Sequence, residues 1–469
     1  MTDAAAMTSP LPRYPAYQDS GVPWLGRVPA HWEVVRLKWA CSIDEEKLSE
    51  GTSPDVEIRY VEVGSVNGRG KIENVETMTF DRAPSRARRP VAEGDTIIST
   101  VRTYLRAIAF IEGDNENLVV STGFSVLRPN EGMVPRFLWR AVQAEPFVQT
   151  VVSHSEGIAY PAISPQKLAG IALPLPPLPE QRAIAAYLDE QTARLDALVG
   201  RHRRLIALLG ERRAALITHA VTKGLDPAAP LRDSGVPWLG QVPAHWEVVR
   251  LKQACTIDDD KLTEDTPPDV EIRYVDVGSV NGRGEIEQVQ DMTFDRAPSR
   301  ARRLVTAGDT IISTVRTYLR AIAFLDGWSH GLVVSTGFSV LRPCEEVAPK
   351  FLWRAVQGEG FVQAVVAHSE GIAYPAISPQ DLADIRLPLP PLAEQHAIAA
   401  YLDEQTARLD GLVERAQRMI ALLEEYRDAL ITAAVTGQVD IRPTMATMPG
   451  VTDRCLARVR GSSPARRER

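Results

Sequence analysis

Leucine recurs every seventh residue in two stretches of this chain. In the first, Leu188, Leu195, Leu209 and Leu216 form the series, with His202 filling the intervening slot and Leu198 and Leu205 three residues on. In the second, Leu402, Leu409, Ala416, Leu423 and Leu430 form it, with Leu412 and Met419 in the complementary position. Each stretch predicts a long helix whose a/d seam lasts about four heptads, the pattern of a coiled coil. The first helix follows the proline cluster Leu173–Pro179 and runs from Glu180 to about Ala220; its counterpart is 394–434. Proline is tolerated in a first helical turn, and Glu180 suits the positive end of the helix dipole. A helix of roughly 38 residues spans about 57 Å, enough to hold two globular parts apart.

Upstream of each helix the period changes. Runs rich in β-branched residues, at Ile58–Val63, Thr96–Val101, Ala107–Ile111 and Phe124–Leu127, predict short strands, with a turn at Asn67-Gly68. Trp139, Ala141, Val142 and Phe147 fall in a predicted short helix. The fold class expected is α+β: two mixed α/β globular domains separated by two long antiparallel coiled-coil helices.

The chain states this pattern twice. Asp19–Thr222 and Asp233–Thr436 align without a gap at an offset of 214. Two long copies do not make a solenoid, which stacks three or more shorter units. They predict like domains related by a pseudo-two-fold axis, an arrangement that suits duplex DNA as a symmetric partner. The expected boundaries are an N-terminal arm (1–18), a first globular domain (19–175), a central helical spacer (176–222), a linker (223–232), a second globular domain (233–389), a C-terminal helical spacer (390–440) and a basic tail (441–469) whose composition predicts disorder.

Composition narrows the class. No apolar run approaches the ~18–20 residues of a membrane span, and Met1–Tyr17 lacks the apolar core of a secretory signal, so a cytoplasmic protein is expected. The four cysteines, Cys41, Cys255, Cys344 and Cys455, form no C-x-x-C pair; free thiols are expected rather than a disulfide framework or a zinc site. The net charge of −7 is awkward for a nucleic-acid binder, which needs Lys and Arg for phosphate contacts. Read locally the objection weakens, because Arg82–Arg106 holds six arginines against Glu93 and Asp95, and Arg296–Arg320 holds six against Asp309 alone.

These segments supply the candidate DNA contacts: Arg82, Ser85, Arg86, Arg88, Arg89, Arg102, Tyr104 and Arg106, and in the second copy Arg296, Ser299, Arg300, Arg302, Arg303, Arg316, Tyr318 and Arg320. Arginine pairs bidentately with guanine or clamps phosphate, and serine serves either role. Pro84 predicts a turn through Arg82–Arg89, and alternation puts Arg102, Tyr104 and Arg106 on one face of a strand. His154–Gln166, identical to His368–Gln380, reads either as a contact loop or as shared packing. Catalytic signatures are missing from the sequence: no Asn-Pro-Pro-Tyr/Phe or Asp-Pro-Pro-Tyr for amino-methylation, no Walker-type phosphate loop, no His-Glu-x-x-His and no Gly-x-Ser-x-Gly. No catalytic and no metal-binding residue is expected.

The motifs Asp19-Ser-Gly-Val-Pro-Trp-Leu-Gly26, Val28-Pro-Ala-His-Trp-Glu-Val34, Gly94-Asp-Thr-Ile-Ile-Ser99, Ser121-Thr-Gly-Phe124 and Pro176-Pro-Leu-Pro-Glu-Gln-Arg-Ala-Ile-Ala-Ala-Tyr-Leu-Asp189, the last repeated with changes at Pro390–Asp403, carry a resemblance. Over Tyr17–Asp440 the chain resembles the specificity subunit of Type I restriction–modification systems. The resemblance implies a non-catalytic adaptor in which two target recognition domains each read half of a bipartite double-stranded DNA site. It implies that helical spacers, through a seam of Leu188, Leu195, Leu198, Leu205, Leu209, Leu402, Leu409, Leu412, Met419 and Leu423, hold the domains apart and dock modification (methyltransferase) subunits, two of them expected. Restriction subunits would add translocation and cleavage. S-adenosylmethionine, ATP and Mg would then belong to the partner subunits, with no cofactor in this chain.

The family's recognition domains are usually unlike each other. Here Asp81–Arg89, Gly94–Phe110 and Val119–Pro129 recur letter for letter 214 residues later. Identical readers facing opposite strands predict an interrupted palindrome, with domain centres roughly one DNA turn (~34–36 Å) apart or somewhat more. Two other classes fit less of the chain: a coiled-coil scaffold with protein-binding globular ends, and a self-contained nuclease or methyltransferase.

Overall fold

A computed structural model of the chain describes residues 12–157, 160–327, 331–371 and 374–442. Residues 1–11 of the N-terminal arm, the loop residues Trp328–His330 and all but the first two residues of the basic tail lie outside the described residues. Contacts group the chain into two compact units, residues 1–201 with 419–469 and residues 202–418.

In the first unit two four-stranded sheets carry the mixed α/β part. One has the order Glu76–Thr79, Glu57–Val61, Leu118–Ser121, Ala87–Pro90, with Leu118–Ser121 parallel to Glu57–Val61 and the other pairings antiparallel. The other is antiparallel throughout, in the order Cys41–Ile43, Phe124–Pro129, Thr96–Ser99, Ile108–Phe110. Leu118–Ser121 and Thr96–Ser99 are buried along their whole length, as expected of β-branched runs with no solvent face. Val61, Ile97, Ala109, Val120 and Phe124 form one core. A larger core gathers Trp32, Phe137, Leu138 and Phe147 with Leu188, Leu430 and Ile431 of the long helices.

The single helix expected around Trp139–Phe147 is two, Pro135–Gln143 and Glu145–Ser153, separated by extended Ala144. The second copy breaks at the equivalent Gly358, although Gly360 stands where the first has Pro146. Proline is therefore not the sole cause. In both copies a threonine of a long helix accepts the first amide of the second short helix, Glu145 N–H to Thr432 at 3.3 Å and Glu359 N–H to Thr218 at 2.9 Å. Those contacts satisfy an otherwise orphaned donor at the restart.

The long helices are Leu178–Lys223 and Leu392–Val435, slightly longer than expected, and they pack as a coiled coil. Within the first unit Leu188 clusters with Leu430 and Ile431, while Asp196 meets Arg427 at 3.8 Å. Within the second, Arg213 meets Asp410 at 3.9 Å and Ile217 clusters with Leu402. One number rises as the other falls, so the pairing is antiparallel.

The seam differs from the expected one in one of its two rows, at Leu198, Leu205, Leu412 and Met419. The row Leu188, Leu195, Leu209 and Leu402, Leu409, Leu423 faces inward, with Leu195 1% exposed. The complementary row lies four residues on rather than three. It comprises Thr192, Val199, Ile206 and Arg213 in one helix, and Thr406, Val413, Ile420 and Arg427 in the other. Leu205, Leu412 and Met419 are exposed by 42%, 41% and 43%, and Leu198 is half-buried. The physical reason is that polar members of the inward row are satisfied there: Thr192 accepts from Arg140 at 2.8 Å and Thr406 from Arg354 at 3.1 Å. Hydrophobicity alone favoured the wrong leucines.

The second unit repeats the first. Its sheets are ordered Gln290–Thr293, Glu271–Val275, Leu332–Ser335, Ala301–Leu304 and Cys255–Ile257, Phe338–Pro343, Thr310–Ser313, Ile322–Phe324.

Candidate nucleic-acid interface

The candidate arginines do not share one environment. Arg102, Tyr104 and Arg106 were expected on a strand face, but Thr103–Leu105 is a turn of 3-10 helix flanked by two left-handed residues, Arg102 at φ 49° and Arg106 at φ 55°. The second copy repeats it with Arg316 at φ 50° and Arg320 at φ 55°. A non-glycine residue in that region costs roughly 1–3 kcal/mol and persists where its surroundings impose it. The imposing contacts are Arg102 N–H to the Pro161 carbonyl at 2.8 Å and the Thr103 hydroxyl against Ser155 at 2.9 Å.

Tyr104 and Leu105 project from the turn into solvent, while Thr103 is buried beneath them. The Arg102 guanidinium lies over the Tyr160 ring at 4.8 Å, and Tyr160 is 66% exposed. Arg316 lies over Tyr374 at 4.9 Å. Tyr160 and Tyr374 were missing from the candidate residues. The signal for them was present, a large aromatic before proline inside the motif identical in both copies.

Backbone bonds join this turn to the other motifs. Thr122 N–H reaches the Arg86 carbonyl at 2.8 Å, and Thr100 N–H reaches that of Gly123 at 2.8 Å. The second copy matches with Thr336 to Arg300 and Thr314 to Gly337, each at 2.8 Å. Gly123 is required for this approach: a Cβ there would stand 2.9 Å from Val63 and 3.0 Å from Val101. Arg86, Thr122 and Gly123, Thr100–Thr103, Ser155 and Pro161 are thus linked by hydrogen bonds.

Several candidates are engaged in the fold. Arg89 and Arg303 are mostly buried and ion-paired to Asp44 and Asp258, and burial lowers their pKa. Asp44 also accepts from Ser125 at 2.9 Å and Val126 N–H at 2.8 Å. Arg89 was expected in a turn, but Ala87–Pro90 is a strand with Ala87 in the core. Arg106 binds Glu145 at 2.5 Å and lies 3.9 Å from Asp428, and Arg320 binds Glu359 at 2.6 Å. These four tie the domain together, their guanidinium groups paired with carboxylates of the fold.

Arg86 reaches the Tyr60 hydroxyl at 3.1 Å and pairs with Glu62, and Arg300 does the same with Tyr274 and Asp276. Arg88 and Arg302 lie over Phe80 and Phe294 at 4.7 Å. Arg82, Arg296, Ser85 and Ser299 are exposed. The letters His154-Ser155-Glu156 diverge in use: the His154 Nδ1–H donates to Thr150 at 2.8 Å, Ser155 to Val151 at 2.8 Å, and Glu156 pairs with Lys167 at 2.5 Å. Among the described residues no group of three or more His, Cys, Asp or Glu is placed to hold a metal, and no helix is long and apolar enough to cross a membrane.

The chain matches the family described as the Type I restriction modification DNA specificity domain over residues 29–203 and again over 243–417. It is similar to the Type I restriction enzyme MjaVIII specificity subunit of Methanocaldococcus jannaschii, 24% identical over 435 residues, covering 89% of this chain and 95% of that one. Among solved structures it is similar to one described under complex assembly and conformational transition of the type I R-M system, with TM-score 0.68, 24% identity, 87% of this chain and 98% of that one. The crystal structure of the HsdS subunit from Thermoanaerobacter tengcongensis matches with TM-score 0.50 at 24% identity, covering 88% of this chain and 98% of that one.

Proposed function

We propose, from the premise that this chain belongs to the Type I restriction–modification DNA specificity family, that it is the sequence-reading subunit of such a complex and performs no chemistry itself. Each globular domain binds one half of a bipartite site in double-stranded DNA. The spacer helices dock modification subunits that methylate adenine, with S-adenosylmethionine held by those subunits. Restriction subunits, with ATP and Mg, supply cleavage.

The observation that carries this reading is the exposed turn with Arg102, Tyr104 and Tyr160, reproduced by Arg316, Tyr318 and Tyr374. A guanidinium stacked on an exposed aromatic keeps its hydrogen-bonding edge for phosphate or guanine and presents a flat apolar face to sugar and base edges. Two left-handed arginines around a three-residue turn are the kind of stored strain that clusters at functional sites.

The two turns are identical in sequence, and identical readers facing opposite strands read matching half-sites. The site is accordingly an interrupted palindrome methylated symmetrically on both strands. Single-molecule methylation sequencing of DNA from cells carrying this chain and its modification subunit tests it. Matching half-sites in opposite orientation are expected, and unrelated half-sites would refute the palindrome while leaving the reading role. Failure to shift any DNA at low salt would favour a protein-binding scaffold instead.

A further inference from the structure

We infer that the second unit holds a binding site for a phosphate-type oxyanion, at a place where the first unit has neutralised the same arginines with its own carboxylates. The internal repeat supplies the comparison. In the first unit Arg69, at the tip of the hairpin Asn67–Lys71, pairs with Glu424 and lies 3.9 Å from Asp196. Arg427 lies 3.8 Å from Asp196 and 3.7 Å from Asp428, and Arg106 binds Glu145 at 2.5 Å. Three arginines thus meet four carboxylates.

At the offset of 214 the arginines persist as Arg283, Arg213 and Arg320, and so do two acids, Asp410 and Glu359. Glu424 and Asp428 become Gly210 and Ala214. Three arginines now meet two carboxylates, and the local balance passes from one negative to one positive charge. Removing two acidic side chains also removes volume. A cavity of about 270 Å³ opens beside Gly210 and Ala214, and Arg213, Arg283, Arg320 and Gln357 border it together with Asp410 and Glu359.

Arg283 and Arg213 are held in place without being fully used, while Arg320 already gives both terminal nitrogens to Glu359 at 2.6 and 2.8 Å. Gly284, at φ +84°, brings the hairpin so close that a Cβ would stand 2.3 Å from the Ile322 carbonyl. That approach fixes Arg283 beside the helix, where no ion pair engages it among the described residues. Arg213 faces Asp410 at 3.9 Å, beyond hydrogen-bond distance, and its buried Nε has no hydrogen-bond partner; Arg427 shares that orphaned Nε but has Asp428 as a second carboxylate at 3.7 Å. Gln357 gives its carbonyl to Arg354 at 3.2 Å, which leaves its amide nitrogen as a donor. Convergent, incompletely paired guanidinium groups in a recess are what binds phosphate. The volume suits inorganic phosphate or a small phosphate monoester, and a DNA backbone phosphate presents the same chemistry.

The test is thermal melting of the full-length chain at constant ionic strength, with chloride exchanged for inorganic phosphate. A saturable rise of roughly 3–5 °C at ten times the half-saturating concentration is expected. It should be lost in Gly210→Glu, which restores the first unit's carboxylate at an exposed helix position, and in Arg283→Gln. Glu424→Gly combined with Asp428→Ala should add a second phosphate response. A second arm measures DNA affinity against salt in the same variants. If DNA supplies the phosphate, free phosphate leaves melting unchanged, and both Gly210→Glu and Arg283→Gln reduce the salt slope by about 0.9. An equal phosphate response in the parent and both variants overturns the inference, as does no change in either arm.

Discussion

Glu180 accepts the indole N–H of Trp32 at 2.8 Å, across 148 residues of chain, and its other oxygen meets Nε2 of His31 at 2.7 Å. Glu394 treats Trp246 and His245 alike, at 2.9 and 2.7 Å. The neighbouring Gln181 accepts from Val134 N–H at 2.7 Å and donates to the Pro176 carbonyl at 2.8 Å. The Glu-Gln pair that opens each spacer helix is therefore the joint between helix and globular domain. Trp32 is almost wholly buried, so Glu180→Ala leaves its N–H without a protein acceptor. A loss of about 1–3 kcal/mol is expected, read as a lower melting temperature of the full chain, with Glu180→Gln recovering part because an amide oxygen still accepts. Melting unchanged by Glu180→Ala would show that the joint contributes nothing.

Arg89 and Arg102 separate stability from recognition. Replacing Arg89 with Ala strands the Asp44 carboxylate, mostly buried and already bound to Ser125 and Val126, and breaking such a pair costs about 3–5 kcal/mol. Arg102→Ala removes an exposed guanidinium, so melting should stay within about 0.5 kcal/mol of the parent. DNA affinity should fall, most steeply at low salt, and more so in Arg102→Ala with Arg316→Ala. Gel shifts over a salt series check this. Full affinity in the double variant would move the contact surface elsewhere.

How far the sequence reveals this molecule is shown by where particular residues ended up. Both long helices, the strands near Thr96 and Phe124 and the twofold repetition were legible, because periodicity and self-similarity are local patterns. The seam was half legible. Leu188 and Leu195 announce themselves, but the choice of Val199 over Leu198 depends on Thr192 finding Arg140 outside the helix. The site was legible as a basic segment and illegible in its division of labour. Arg89 and Arg102 look alike until Asp44, 45 residues upstream of one, and Tyr160, 58 residues beyond the other, are brought to them by the fold.

The revised seam gives a contrast between adjacent rows. Leu195 is buried and Leu205 is 42% exposed, although both continue the leucine pattern. Leu195→Asp places a carboxylate in the apolar interface and should cost several kcal/mol, about the 2–5 expected of a large core truncation with a charge penalty added. Leu205→Asp should change melting by no more than about 0.5 kcal/mol. Circular dichroism melts of the two variants decide between the rows, and equal losses would restore the sequence-based seam.

Acid should weaken the contact between Arg320 and Glu359. Hydrogen bonding from Arg320, with further help from Gln363, holds the Glu359 carboxyl below the ordinary glutamate value. A depressed folded-state pKa means the unfolded chain binds the proton more readily, so this stabilisation is fully present above the unfolded value of ~4.3 and is lost as pH falls through the folded one. Both partners are about two-fifths exposed, so solvent screening limits the contribution to under ~1 kcal/mol. Urea titrations of the parent and Glu359→Gln should therefore differ most at pH 6–7 and converge only once the pH has fallen below the depressed folded-state value. The variant should show the shallower loss of stability across that interval. A constant difference at every pH would mean that the residue acts through packing, and that the proton plays no part.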